Sequence, residues 1–135
     1  MAFLTDNNVL SEAMKPRPDG RVTSWLEENE SDLVIDSIIL GEIRLGVLQL
    51  PRGRRRQQLE VWFEEIVCGI VCIPWDDKSA LRWADLLVEL RQKGRTMPIL
   101  DSMIAATALV HNLTVVTRNL RDFENAGVDV LNPFV

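Results

Sequence analysis

The chain has 135 residues, of which 47% are apolar and 26% charged, a composition typical of folded globular proteins. Its length suits a single domain over residues 1–135. No apolar run approaches the roughly 20 residues that cross a bilayer, and the N-terminus lacks a signal-peptide pattern, so we expect a cytoplasmic protein without a membrane contact. The net charge of −5 excludes nucleic-acid binding through an overall positive field. Such a role would need a local basic patch, or metal ions in an acidic site.

The sequence offers little for thiol or histidine chemistry. Cys68 and Cys72 are not spaced as a CxxC pair, and Cys72 lies in an apolar, strand-like run. We therefore predict that both are buried as small hydrophobic side chains. The single histidine, His111, has no convincing partner, which argues against histidine-based nucleophilic catalysis and against a zinc site.

Apolar segments of strand length alternate with segments of helical periodicity. The predicted strands are Phe3-Leu4 and residues 32–35, 70–73, 114–117 and 128–131. The predicted helices are residues 9–14, 22–28, 38–50, 57–67, 78–93 and 99–110. In helix 78–93 the residues at helical spacing are Leu81, Ala84, Leu87, Val88 and Arg91. This alternation predicts an α/β fold with a parallel sheet and helices on both of its faces.

The chain has one strong basic run, in the loop before helix 57–67. It contains Arg52, Arg54, Arg55 and Arg56. The run is either the solvated start of a helix or a contact for the phosphates of an RNA backbone. No aromatic residues interleave it, so it gives no sign of base stacking.

Four carboxylates lie where the predicted sheet would gather a ligand. Asp6 and Asp122 follow predicted strands, Glu42 lies about one turn inside the helix after the second strand, and Asp101 lies in the first turn of helix 99–110. Right-handed crossovers bring the carboxyl ends of parallel strands to one edge, where α/β proteins bind ligands. Each residue also has an ordinary structural explanation. Asp6 can cap a helix, and Glu42 can be a solvated surface residue. The dipole of helix 99–110 can stabilise Asp101 in its first turn, and Asp122 can form a surface ion pair.

Carboxylates that converge repel each other unless a cation lies among them. Oxygen ligands without Cys or His favour Mg²⁺ or Mn²⁺, which can activate water and polarise a phosphoryl oxygen. Four polar residues beside the carboxylates suit the tasks of orienting the ligands or holding water: Asn8, Ser37, Thr117 and Asn119.

Five motifs occur along the chain in a fixed order. They are Phe3-Leu4-x-Asp6-x-Asn8-Val9-Leu10-Ser11-Glu12, Glu42-Ile43-x-x-Gly46, Leu50-Pro51-x-Gly53-x-Arg55-Arg56, Asp101-x-x-Ile104-Ala105-Ala106 and Thr117-Arg118-Asn119-x-x-Asp122-Phe123. As an ordered set, they resemble the PIN-domain ribonucleases, specifically the toxin component of VapBC-type toxin–antitoxin pairs. The resemblance extends from about residue 2 to Pro133.

This resemblance implies a three-layer α/β/α fold with a mostly parallel sheet in the order 3-2-1-4-5. It also implies an endoribonuclease that depends on Mg²⁺ or Mn²⁺ and acts as the toxin of a type II toxin–antitoxin system. By motif match, the metal-binding catalytic residues would be Asp6, Glu42, Asp101 and Asp122. The implied partners are an RNA substrate, a cognate antitoxin, and a second copy of the chain in a homodimer or in a larger assembly with the antitoxin.

Thr5 and Asn7 depart from the usual family pattern, and Asn119 occupies a position that is acidic in some members, which leaves the number of metal ions open. Two alternatives also stay open. One is a catalytically silent PIN-like protein that only binds a partner. The other is a phospho-receiver domain, with Asp76 as the phosphate acceptor after the third strand. Such a domain also needs a lysine after its fifth strand, and no lysine follows Leu113.

Overall fold

The sheet has five short strands in the order β3-β2-β1-β4-β5, and all four neighbouring pairs are parallel. The structure is a computed structural model that describes residues 1–135. The strands are β1 (Phe3–Thr5), β2 (Leu33–Asp36), β3 (Val71–Ile73), β4 (Thr114–Val116) and β5 (Val130–Leu131). The predicted parallel α/β fold and the strand order implied by the resemblance are therefore confirmed.

Helices lie in every connection between consecutive strands. They are α1 (Asn7–Leu10), α2 (Gly20–Glu28), α3 (Ser37–Leu48), α4 (Arg54–Glu65), α5 (Asp77–Gln92), α6 (Ile99–His111) and α7 (Leu120–Phe123). Short 3₁₀ turns lie at Ser11–Met14, Glu30–Asp32 and Val67–Gly69. None of the helices has the length and apolar character needed to cross a membrane.

The central strands β1 and β4 are buried on both faces, since consecutive strand residues point to opposite sides and both sides are covered. In β4, Val115 belongs to the larger core cluster and Val116 to the smaller one. In β1, Leu4 belongs to the larger cluster, whereas Phe3 packs on the smaller one and meets the Trp25 ring at 5.2 Å. The result is the expected three-layer arrangement.

Helix α6 lies close to the sheet because its inner surface is made of small residues. Ala105, Ala106 and Ala108 are all buried. The chain enters β4 directly after α6, so the helix runs antiparallel to the strands and its first turn lies at their carboxyl edge. The fold thus places Asp101 at the edge where β1 and β4 end.

Two details of the predicted elements differ in the structure. Helix α7 was not predicted, because four residues are too few to show helical periodicity. In α5, the fully buried residues are Ser79, Leu86 and Leu90, while Leu81 is 69% and Val88 52% exposed. The residues at helical spacing in the sequence therefore do not mark the buried face of α5.

The prediction that both cysteines are buried is wrong. Cys68 lies in the 3₁₀ turn after α4, and Cys72 lies on β3, and both are exposed and unpaired. Strand β3 pairs only with β2 and is therefore an edge strand. An apolar run on an edge strand can remain open to solvent, which is why the apolar sequence around Cys72 wrongly predicted its burial.

Candidate active site

Asp6 is held at the point where β1 ends. Its backbone N–H donates to the carbonyl of Val116 at 2.9 Å, which continues the parallel pairing of β1 with β4. Its Oδ1 accepts from the Asn7 N–H at 2.8 Å, so Asp6 is also the N-cap of α1. The residue is only 5% exposed, and burial is the main cause that raises the pKa of this carboxyl.

A side-chain network fixes the second oxygen of Asp6. The Thr117 hydroxyl donates to Asp6 Oδ2 at 2.8 Å, and the Asn8 amide donates to the same oxygen at 3.3 Å. Asn8 also donates to Thr117 Oγ1 at 3.2 Å and accepts from the Arg118 N–H at 3.1 Å. Asn8 and Thr117 therefore join the ends of β1 and β4, and both contact the Asp6 carboxylate.

Glu42 lies on α3 beside the same edge. Burial, followed by the negative charges of Asp6, Asp101 and Asp36, raises its pKa from an ordinary 4.5 to about 7. Its Oε1 atom is buried and has no hydrogen-bond partner. A buried acceptor without a donor is rare in folded proteins, and it indicates that this oxygen lacks a ligand.

Asp101 and Asp122 are neighbours. Burial raises the pKa of Asp101 from 3.8 to about 6, and the charges of Asp6 and Asp122 and a hydrogen bond with Asp122 add to that shift. Asp122 also contributes to the raised pKa of Asp6. Four chain segments thus bring their carboxylates within electrostatic reach of one another, as the topology predicted.

Asp36 is a fifth acidic residue at this edge of the sheet. It caps α3, since its Oδ1 accepts from the Ile39 N–H at 2.9 Å. It is also fully buried, and its Oδ2 accepts from the Thr107 hydroxyl at 2.7 Å, which ties α6 to the end of β2. Burial raises the pKa of Asp36, and its charge acts on Glu42. The sequence signal was the position directly after a strand, the same as that of Asp6.

Ser37 and Asn119, the other two predicted supporting residues, make no side-chain hydrogen bond to the carboxylates. Ser37 Oγ accepts from the Trp75 N–H at 3.1 Å and makes no hydrogen bond to any of the four carboxylates. Asn119 is exposed, and its backbone N–H donates to Thr117 Oγ1 at 3.1 Å, so its main chain and not its amide joins the network.

Two arginines of the basic run make contacts within the protein, and two do not. Arg55 donates to the Met14 carbonyl, and Arg56 forms an ion pair with Glu60 at 3.0 Å. Arg52 and Arg54 are exposed and make no hydrogen bond or ion pair. Only these two are free to bind phosphates without breaking an internal contact.

The donor set fits a hard divalent cation in composition. All of its ligand atoms are carboxylate oxygens, and the unpartnered Glu42 Oε1 is an acceptor that a cation would satisfy. However, no group of three or more Asp, Glu, His or Cys side chains already stands in an arrangement that could hold a metal ion. Completing a coordination shell would therefore require these side chains to move closer together.

Comparison with known proteins identifies the architecture. The family model described as PIN domain matches residues 3–128. The chain belongs to the PIN-domain family. A curated relative, the VapC ribonuclease Y4jK of Sinorhizobium fredii, is 34% identical, and the match covers 98% of this chain and 97% of that protein.

Solved PIN-domain structures agree with this assignment. The crystal structure of FitAcB from Neisseria gonorrhoeae matches with a TM-score of 0.91 and 34% identity, and the match covers 98% of both chains. VapBC-5 from Mycobacterium tuberculosis, a member of the VapBC family of toxin–antitoxin systems, matches with a TM-score of 0.71 and 28% identity over 97% of this chain and 96% of the other.

PIN-domain membership overturns the phospho-receiver alternative. The fold gives the same result, because Asp76 follows the edge strand β3 and not a central strand. Its carboxylate accepts from the Ser79 N–H at 3.0 Å and caps α5. Asp76 is thus a structural residue.

Proposed function

We propose that this PIN-domain chain is an endoribonuclease that depends on Mg²⁺ or Mn²⁺ and acts as the toxin of a type II toxin–antitoxin pair. The observation that carries the proposal is the gathering of Asp6, Glu42, Asp101 and Asp122 at one sheet edge, where the charges acting on Glu42 are all negative. So costly an arrangement is explained by a bound cation and not by stability, because negative neighbours raise the pKa values of Asp6, Glu42 and Asp101.

In this proposal, the four carboxylates hold the ion or ions. When bound, the ion supplies an activated water for in-line attack on phosphorus and neutralises charge on the phosphoryl oxygens. Asn8 and Thr117 keep Asp6 Oδ2 in a fixed orientation through their hydrogen bonds. Ser37 and Asn119 support the site less directly. The Ser37 hydroxyl accepts from the Trp75 N–H, and the Asn119 N–H donates to Thr117 Oγ1.

The substrate is RNA, and its backbone phosphates beyond the cleavage point contact the arginine run. Arg52 and Arg54 are the stronger candidates because their guanidinium groups are free, whereas Arg55 and Arg56 would have to give up or share existing contacts. The proposed protein partner is a cognate antitoxin, as in the VapBC relatives, together with a second copy of the chain in a homodimer or hetero-oligomer. Because the proposed substrate is cellular RNA, we place the activity in the cytoplasm.

The deciding experiment is RNA cleavage by purified, antitoxin-free protein in Mg²⁺, in Mn²⁺ and in EDTA. The wild type is compared with Asp101→Asn, which removes one charge of the site while keeping the size of the side chain. Asp32→Asn is the matched control, since Asp32 is an exposed carboxylate just before β2, at the opposite edge of the sheet. We expect cleavage in either metal, none in EDTA, wild-type activity in Asp32→Asn, and a loss of at least about 100-fold in Asp101→Asn.

The same experiment distinguishes the catalytically silent alternative. A folded wild-type protein that binds its antitoxin and cuts none of a broad RNA panel in Mg²⁺ or Mn²⁺ would support a binding module. Full activity of Asp101→Asn would instead refute the proposed metal site, while the chain would still be a ribonuclease.

A further inference from the structure

A cavity of about 280 Å³ lies next to the proposed metal site, between α1, α3 and α4. Its wall begins at Asn7, whose backbone N–H donates to Asp6 Oδ1 at 2.8 Å. On α3 the wall includes Gly46, which lies one turn beyond Glu42 on the same side of the helix. The cavity is therefore adjacent to two of the four carboxylates.

Just over half of the lining residues are apolar, and they include one large aromatic ring. Ile43 and Val47 of α3 and Leu59 and Trp62 of α4 form most of this apolar part. At about 280 Å³ the cavity is just below the range of roughly 300–1,000 Å³ that is typical of sites for drug-sized ligands, which suits a single flat ring system. An indole in such a wall can stack on a nucleobase of any kind.

The charged residues that line this cavity are both cationic. They are Lys15, which forms an ion pair with Glu12 at 2.9 Å, and Arg55, whose guanidinium donates to the Met14 carbonyl and keeps its charge unpaired. A larger cavity of about 600 Å³ elsewhere on the surface has the opposite character, since Glu27, Glu30 and Glu65 line it and no Lys or Arg does. The smaller cavity therefore carries the positive charge of Arg55, whereas the larger one is lined only by negative charges, so a polyanion favours the smaller cavity over the larger one.

We propose that the cavity beside Gly46 is a subsite for the base of the nucleotide whose phosphate lies at the carboxylates, with Lys15 and Arg55 facing the adjoining phosphates. This inference rests on the proposed nuclease function and extends it to a base contact. In this proposal, Gly46 keeps the cavity open. A Cβ atom at this position would meet nothing within 4 Å, so the missing side chain leaves open space one turn from Glu42.

Gly41 provides a matched control on the same helix. It is also exposed, and a Cβ atom at this position would also meet nothing within 4 Å, but it lies roughly 140° away from Gly46 around the helix axis. Replacing either glycine removes a residue that weakens helices, so both variants are expected to fold at least as well as the wild type. They differ only in which side of α3 becomes filled.

The test uses small nucleotides in place of an unidentified RNA. Binding of AMP, GMP, CMP and UMP is measured by NMR titration in Mg²⁺ and compared with ribose 5-phosphate, which has the phosphate and sugar without the base. In the wild type, we expect at least one of the four nucleotides to bind at least about tenfold more tightly than ribose 5-phosphate. Gly46→Leu should abolish that preference and leave ribose 5-phosphate binding unchanged, Gly46→Ala should reduce the preference, and Gly41→Leu should retain it.

Each other result has a definite meaning. Equal binding of all four nucleotides and ribose 5-phosphate, or a preference that survives in Gly46→Leu, would overturn the base subsite alone. If Gly46→Leu keeps the nucleotide preference and loses affinity for the cognate antitoxin, the cavity belongs to the antitoxin and the inference is wrong. Failure of the wild type to bind ribose 5-phosphate in a Mg²⁺-dependent way would count against the proposed metal site itself.

Discussion

The metal-free protein should gain stability when Glu42 loses its charge. In the folded chain, burial and neighbouring negative charges raise the pKa of Glu42 to about 7, whereas its ordinary value is 4.5. A raised folded-state pKa means that the folded state binds the proton more tightly than the unfolded state does. The resulting stabilisation is fully present below about pH 4.5 and is lost as the pH rises through about 7. Above that pH, folding carries the full cost of an ionised Glu42.

Glu42→Gln replaces this carboxylate by a neutral group of similar shape. A rise from 4.5 to about 7 corresponds at most to about 3 kcal/mol. Because Glu42 is only partly buried and solvent screens its charge, we expect about 1–2 kcal/mol at pH 8. For a chain of this size, that is a rise in Tm of roughly 3–10 °C. At pH 5 the folded wild type already carries the proton, and the two proteins should be close in stability.

The assay is urea unfolding in EDTA, followed by tryptophan fluorescence from pH 5 to pH 8. Glu28→Gln serves as the control, since Glu28 is an exposed glutamate on α2 and its replacement should change stability by less than about 0.5 kcal/mol. In saturating Mg²⁺ the order should reverse, because the wild type gains binding free energy that Glu42→Gln lacks. A Glu42→Gln protein that is less stable than the wild type at pH 8 in EDTA, or a difference independent of pH, would refute the reasoning.

Three further predictions follow from contacts around the site. Asp36→Ala should lower the free energy of unfolding by about 1–3 kcal/mol in urea titrations, because it removes a helix cap and leaves the buried Thr107 hydroxyl with only the Met103 carbonyl, at 3.4 Å, as an acceptor. Asn8→Ala should lower kcat for RNA cleavage by about tenfold with little change in KM, since it loosens the network that orients a proposed metal ligand, Asp6. An unchanged kcat would show that the network is only structural. Arg54→Ala should lower the slope of log affinity against log salt for single-stranded RNA by about 0.7, whereas Arg56→Ala, whose guanidinium is paired with a glutamate, should leave the slope nearly unchanged; equal effects in filter binding would contradict the assignment.

The fold was predictable because its signals are local and repeat along the chain. Alternating strand and helix patterns define a parallel sheet, and right-handed crossovers bring the strand ends together. The PIN-domain strand order came from the resemblance and not from periodicity. The buried face of α5 was not predictable, because Leu81 and Val88 are as apolar as Leu86 and Leu90. Only the packing of α5 against α6 decides which of them is covered.

The limits of local sequence patterns also explain why Asp36 does not stand out in the sequence. In the sequence, a carboxylate before a helix looks the same whether it is a solvated cap or a buried residue. Its contact with Thr107 joins positions that are 71 residues apart. Cys72 shows the opposite error, because an apolar neighbourhood in sequence does not reveal that β3 is an edge strand. In both cases the deciding neighbour is distant along the chain.

The structural and functional interpretations of Asp6 do not exclude each other. Oδ1 caps α1 through the Asn7 N–H, while Oδ2 accepts from Thr117 and Asn8. A carboxylate has about four lone-pair sites, so three donors leave roughly one for a cation. Asp6→Asn would replace one of these acceptor oxygens by an NH₂ group and disturb the capping or the network as well as the charge. The Asp101 side chain caps no helix and lies beside another carboxyl, that of Asp122, so its replacement by Asn relieves repulsion. Loss of cleavage in Asp101→Asn can therefore be attributed to the metal site, whereas loss in Asp6→Asn cannot be separated from damage to the junction of β1 and β4.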